Sequence, residues 1–223
     1  MSRATLLLLA DGRFPAGGHA HSGGAEAAVR AGRVRDAASL ADFCRGRLHT
    51  AGLVSAALAA SAALGTDPVA LDAAADARTP SPALRTASRR LGRQLLRAAR
   101  ATWPQGAQGY GDLARAFPKG AHQPVVLGVV ARAAGLGAAD AAHCAAYESV
   151  SGAASAVVRL LSLDPFEASG VLARLAGEID RVADRAVECA GEGVVDALPA
   201  MSSPLLEIGA EVHAGMAGRL FAS

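Results

Sequence analysis

Aromatic side chains are scarce in this sequence: Phe, Trp and Tyr together make up 4% of its 223 residues. Strands draw on aromatic and β-branched residues, and single-stranded nucleic acids are gripped by stacking on aromatic rings. The shortage therefore weighs against both. Cysteine is scarce too. Cys44, Cys144 and Cys189 are odd in number, far apart and without a CxxC pair, which argues against a disulfide framework or a zinc site and fits reduced thiols in the cytoplasm. No stretch reaches about 18 apolar residues without a charge, so no membrane span is expected. The N-terminal run Leu6–Ala10 is stopped by Asp11, short of the roughly seven apolar residues of a signal-peptide core. The net charge of +2 is too small to imply nucleic-acid binding by itself. No solenoid-length repeat stands out. No nucleophile, base and orienter arrangement is visible either. The histidines (19, 21, 49, 122, 143 and 213) are scattered, and no carboxylate pair sits beside a cleft signature. Neither an enzyme nor a resident cofactor is expected.

What is abundant is apolar residues, 52% against 19% charged, with alanine the commonest. Such a chain buries enough surface to fold, and alanine is the cheapest residue in a helix. The apolar spacing Leu40, Phe43, Cys44, Leu48 predicts one helix face, with Ser39 or Asp36 as its cap. Leu53–Leu64 reads as a second helix, ended by Gly65 and Asp67-Pro68. Leu84, Ser88, Leu91, Leu95, Ala98 and Thr102 form a narrow seam that Trp103-Pro104 ends. Pro124–Ala134 is a helix or a buried apolar segment, within which Val125–Val130 is the one run ambiguous between helix and strand. Asp140–Leu163 is a long apolar helix, broken by Asp164-Pro165. The following helix turns Leu172, Leu175, Ile179, Val182, Val187 and Ala190 inward. Pro199, Met201 and Pro204 introduce a final short helix and tail. Nothing alternates with period two for long enough to build a sheet. The expectation is an all-α, single-domain bundle of about eight to ten helices over residues 1–223.

Three features carry functional interest. The first is the glycine-dense segment of residues 10–26, from Gly12 through Phe14, Pro15, Gly17, Gly18 and Ser22 to Glu26. Glycine is costly to order, so it marks close backbone approach or positive φ. A phosphate loop would need a Lys-Ser/Thr pair after the last glycine, and none is present. The remaining readings are a surface turn leading into a helix near Ser22, an interaction loop, or a metal site through His19 and His21. The second feature is charge asymmetry: Arg78 to Gly111 holds seven arginines and no acid. Arg85, Arg89, Arg93 and Arg97 recur every four residues opposite the leucine seam. They call for an acidic neighbour. It could be the later acids Glu178, Asp180, Asp184, Glu188, Glu192 and Asp196, in this chain or in a second copy, or an external partner. The third is the tail, residues 204–223, whose Leu220 and Phe221 need either their own core or a partner to bury them.

Read together, these segments resemble a known family. Phe14-Pro15-Ala16-Gly17-Gly18 with Ser22, Gly24 and Glu26 is similar to the L-P-x-G-G-F-x-x-S-x-G-L-E opening of the urease accessory protein UreF. Ala31-Gly32-Arg33-Val34-Arg35-Asp36 and Leu40 continue it. Ser88-Arg89-Arg90-Leu91-Gly92-Arg93-Gln94-Leu95-Leu96 resembles the family's S-x-x-M-G-x-x-L-L helix. His122-Gln123-Pro124-Val125-Val126-Leu127-Gly128 matches H-x-P-V-x-x-G, and Val157 to Leu163 matches A-V-R-L-x-P-L. The tail from Pro204 through Ile208 and His213 to Arg219-Leu220-Phe221-Ala222-Ser223 resembles P-x-L-D-I-x-x-x-x-H-E-x-x-x-x-R-L-F-x-S. The pieces keep the family order over nearly the full length. His19 and His21 replace two aromatics, Ala25 a leucine, Ser162 a proline and Ala214 a glutamate. The resemblance implies a non-enzymatic, all-α, dimeric protein that binds UreD (UreH) and recruits the GTPase UreG to apo-urease for nickel delivery. It also implies that Phe14, Pro15, Gly17, Gly18, Ser22, Glu26, His213, Arg219, Leu220 and Phe221 belong to partner-dependent segments. A nickel-binding protein using His19 and His21, or a helical interaction module without a urease role, are the alternatives.

Overall fold

A computed structural model describes residues 2–223. Within them the chain forms ten helices and no strand: α1 (Arg3–Ala10), α2 (Ala25–Arg30), α3 (Ala37–Leu64), α4 (Pro68–Ala77), α5 (Pro82–Thr102), α6 (Ala107–Ala116), α7 (Gln123–Ala133), α8 (Ala138–Leu161), α9 (Pro165–Gly191) and α10 (Pro204–Ala214). The fold is thus an all-α bundle, and the ambiguous run Val125–Val130 is helical.

Helix α3 departs from expectation. The two helices read over Leu40–Leu48 and Leu53–Leu64 are one, joined through a π-helical turn at Leu48–Gly52. No proline or left-handed glycine stands there to stop the helix. Gly52 lies against α8, where a Cβ would sit 2.7 Å from Ser149 Oγ, and the widened turn accommodates that contact. At the start of α3 both proposed caps are used. Asp36 accepts from the Ser39 N–H at 2.8 Å, and Ser39 Oγ accepts from the Asp36 N–H at 3.1 Å, a reciprocal capping box.

The second half of α3 is apolar nearly all round. Val54, Leu58 and the alanines from Ala56 to Ala63 are buried, and α7, α8 and α9 pack around them. By length and composition α3 could cross a membrane, but 56% of its most apolar window is buried within this bundle. Small residues set the packing distance: a Cβ at Gly128 of α7 would meet the Ala59 carbonyl oxygen.

Helix α5 starts at Ser81, whose Oγ accepts from the Leu84 N–H at 3.1 Å. Its buried line is Gly92, Leu95, Ala98 and Ala99. The expected seam is therefore rotated: Leu84, Ser88 and Leu91 are half-buried and Thr102 is exposed. Gly92 lies on the rotated line, where a Cβ would collide with the Ala121 carbonyl. On α9, Leu175, Ile179, Val182 and Ala190 are buried as expected, while Leu172 and Val187 are half-buried. Helix α10 returns to pack on α2 and α5. Its Glu207 and Glu211 accept from the Ser81 and Ala83 N–H groups at 2.7 and 2.9 Å, placing negative charge at the positive end of α5.

Candidate partner-binding site

The glycine-dense segment and the tail meet in space, and one carboxylate joins them. Glu26, on the first turn of α2, is 1% exposed. Its Oε1 accepts from the Leu220 N–H at 2.8 Å and from Arg30 at 3.1 Å. Its Oε2 accepts from the Phe221 N–H at 2.9 Å and lies 2.9 Å from His213 Nε2. A carboxylate only accepts, so His213 carries its proton on Nε2. Burial pushes the Glu26 carboxyl up, but the hydrogen bonds from Leu220, His213 and Phe221 outweigh it and hold the pKa down at about 2. Arg30 also donates to the Gly218 carbonyl at 2.7 Å.

A second set of bonds lies beside the first. Ser22 donates its N–H and its Oγ to the Ser223 carbonyl oxygen, both at 2.7 Å, and the Ala222 N–H donates to Ala20 at 2.8 Å. His21 Nδ1 lies 2.6 Å from Ser223 Oγ. Burial, with help from Arg90 and His19, lowers the His21 pKa to about 4. The Phe221 ring is buried, with the Arg159 guanidinium 4.9 Å from its centroid. Phe14 packs on Trp103 with centroids 5.5 Å apart. Gly24 has φ +89° and a Cβ there would sit 2.6 Å from Leu206 Cδ2; Gly17 is likewise left-handed, with its missing Cβ against Gln94. Glycine here permits the two segments to dock on each other and on α5.

The residues singled out from sequence thus divide. Phe14, Ser22, Glu26, His213 and Phe221 are buried in the chain's own core, so in this conformation they support a surface and do not form it. Phe14 and Phe221 need no partner to bury them. Pro15, Gly18, Arg219 and Leu220 are exposed. What sequence reasoning missed is the outer face of α10: Leu205, Ile208 and Val212 are 61%, 61% and 55% exposed, a run at helical spacing that polar residues should occupy. The signal was there in the spacing of three and four, but it reads the same for a buried face. Arg159, within the Val157–Leu163 match, was also missed as the support of Phe221.

The arginine stripe splits as well. Arg89 pairs with Asp72 at 2.8 Å and Asp76 at 2.7 Å, and Arg85 reaches Asp76 at 3.9 Å. The acids are those of α4, and not Glu178 to Asp196 as the charge count suggested; α4 immediately precedes α5 and lies beside it. Glu178 instead meets Arg45 and His49. Arg93 donates to the Lys119 carbonyl, and Arg97 is exposed. His122 completes the network: its N–H donates to Asp72 at 2.7 Å, and its ring touches Ser88 at 3.0 Å and Asp76 at 2.8 Å. Asp72, Asp76 and His122 are close enough to share a cation, but the Arg89 guanidinium already sits on both carboxylates and supplies that charge. The His19 and His21 pair fits a metal poorly, because His21 is buried and bonded to Ser223.

Behind the glycine-dense segment lies a cavity of about 430 Å³ floored by α8. Glu148 lines it, hydrogen-bonded to Gln123 at 2.9 Å. Burial raises the Glu148 pKa to about 7.

Comparison with known proteins agrees with this geometry. The UreF family model matches residues 34–176. The urease accessory protein UreF of Mycolicibacterium vanbaalenii is 43% identical over 226 aligned residues, covering 100% of this chain and 99% of the relative. Those of Mycobacterium marinum and Mycobacterium tuberculosis are 41% and 40% identical, covering 99% and 100% of this chain and 98% and 99% of the relatives. A match of this extent, on a helical chain whose two family-like ends are bonded to each other, places the protein in the UreF family of urease accessory proteins.

Proposed function

We propose that this chain is a non-enzymatic scaffold of urease maturation in the cytoplasm: it binds a UreD (UreH) protein and brings the GTPase UreG to apo-urease, so that nickel is delivered to the enzyme as cargo. By the same reading two copies of the chain stand in the assembly. The observation that carries the proposal is the exposed apolar face of α10. Leu205, Ile208 and Val212 point outward at more than half exposure, on a helix fixed from below by the bond between His213 and Glu26. A solvated face of that kind on a rigid support is what a protein partner covers. Leu220, 54% exposed and anchored through its N–H, extends the same region.

The test is co-expression of the tagged chain with the UreD and UreG proteins of its own organism, followed by pull-down. Wild-type protein is expected to retain both. Ile208→Asp is expected to lose them while keeping its helical circular-dichroism spectrum, because the side chain is mostly exposed. Absence of a complex with folded wild-type protein overturns the scaffold reading. Retention by Ile208→Asp overturns the assignment of the face.

A further inference from the structure

Between the start of α3 and the start of α10 lies a second hollow, of about 420 Å³. Val34, Phe43, Leu205 and Leu206 give it apolar walls, and its charged lining is Arg33, Arg35 and Arg47 against a lone carboxylate, Asp42. Asp42 is already paired with Arg45 at 3.2 Å, and Arg35 is loosely paired with Asp36 at 3.8 Å. Among the described residues no carboxylate lies within 4 Å of Arg33 or Arg47.

Arg47 is the telling group. Its Nε donates to the Ser149 carbonyl at 2.6 Å. Its guanidinium packs under the turn at Gly23, where a Cβ would stand 3.3 Å from Cζ, and Arg47 borders both this hollow and the cavity behind the glycine-dense segment. Burial lowers its pKa; the Cys44 thiol works the other way, and no carboxylate does. Withdrawing a cation from water without a counter-ion costs free energy, and an entering anion restores it. Arg33 lies along α10, 3.7 Å from where a Cβ of Gly209 would be. Ser203, also in the lining, makes no side-chain cap at the first turn of α10, and Glu207 of that turn is engaged by the Ser81 N–H.

We infer that this groove receives an acidic peptide segment of a partner protein, with a carboxylate between Arg33 and Arg47 and an apolar side chain against Phe43 and Leu205. The inference deepens the scaffold reading and rests on it for the partner's role. The occupant is a peptide and not a free oxyanion for two reasons. Pockets for organic ligands run to about 300–1,000 Å³, so a phosphate would fill little of this one and leave its apolar wall wet. Leu205 also belongs to the exposed face of α10, so a chain lying on that face reaches the groove without a break.

The test is titration of the purified chain with fluorescein-labelled Glu-Leu-Glu-Leu-Glu, read by anisotropy, against the labelled peptide Gln-Leu-Gln-Leu-Gln and with inorganic phosphate as competitor. The acidic peptide is expected to bind about tenfold tighter than the neutral one, the factor a charge-assisted hydrogen bond provides, and to weaken as salt rises. Arg33→Gln is expected to lose that factor. Its side chain is exposed and makes no hydrogen bond, so the variant folds even where Arg47→Gln, which also releases Ser149, does not. Equal binding of the two peptides, or unchanged affinity in Arg33→Gln, overturns the site. Phosphate competing at the concentration of the peptide overturns the peptide assignment in favour of a free-anion site. No UreD-type protein takes part in this titration, so its failure is separable from failure of the pull-down.

Discussion

Glu26 and His213 stand 187 positions apart in the chain and meet at 2.9 Å, both almost wholly out of solvent. Around that contact the Leu220 and Phe221 N–H groups close on the same carboxylate, so one side chain fixes the order of both ends of the described chain.

Replacing Glu26 with Gln keeps the shape and removes the charge. The backbone donors then face a weaker acceptor, and an amide N–H is turned towards other donors. A loss of about 3 kcal/mol is expected, in the range for breaking buried charged hydrogen bonds. It is measured as a drop in the urea midpoint at pH 7.

The same group sets an acid limit. Its folded pKa, about 2, lies below the unfolded value of 4.5. The folded state therefore binds fewer protons, and the stabilisation is full above pH 4.5 and lost as pH falls through 2. Urea melts of the wild type from pH 6 to pH 2 are expected to lose stability across that window, and Glu26→Gln to lose less of it. Parallel curves for the two proteins would contradict the assignment.

Glu148 acts with the opposite sign. Its folded pKa, about 7, is raised above 4.5, so the folded state binds the extra proton and stability falls as pH rises between those values. Glu148→Gln, which keeps the bond to Gln123, is expected to raise the melting temperature at pH 8 and leave it unchanged at pH 4.

Gly128→Ala is expected to be among the most damaging single methyl additions, by about 2 kcal/mol or more, because the new group meets a backbone carbonyl of α3 that cannot swing away. Gly12→Ala, with nothing within 4 Å of the new carbon, is the control and is expected to be neutral. Thermal melts of the pair check both.

Arg89 and Asp72 form a pair in which Asp72 is 5% and Arg89 22% exposed at the side chain. Arg89→Gln leaves a buried carboxylate without its cation and is expected to cost about 3 kcal/mol. Asp72→Asn added to it is expected to return part of that loss. A double-mutant cycle that shows simple additivity would mean that Asp76 and His122 carry the network without this contact.

The helices were legible because their punctuation is local. Asp36 with Ser39 and Asp164-Pro165 announce helix starts whatever surrounds them. The join at Leu48–Gly52 was not legible, because the close approach of Gly52 to Ser149 that goes with it is between residues distant in sequence. The same distinction governs the site. The family-like motifs at both ends of the chain picked out Glu26, His213 and Phe221, but their spacing gives no measure of exposure. They turned out to be the inner side of the region, while Leu205, Ile208 and Val212 form its outer side. The partners of the arginine stripe were misplaced because a charge count weighs all acids alike, whereas Asp72 and Asp76 are the ones that the turn after α4 brings beside α5.

The bond from Glu26 to the Leu220 N–H spans 194 positions, and this has a consequence for synthesis. Ribosomes add roughly 5–20 residues per second, so Glu26 is polymerised roughly 10 to 40 s before its last partners exist. Through that interval Phe14 can already settle on Trp103, but Glu26 lacks the N–H donors of Leu220 and Phe221. A chain released before residue 220 would keep the His213 contact under α10 but leave a buried Glu26 carboxylate without two of its N–H donors.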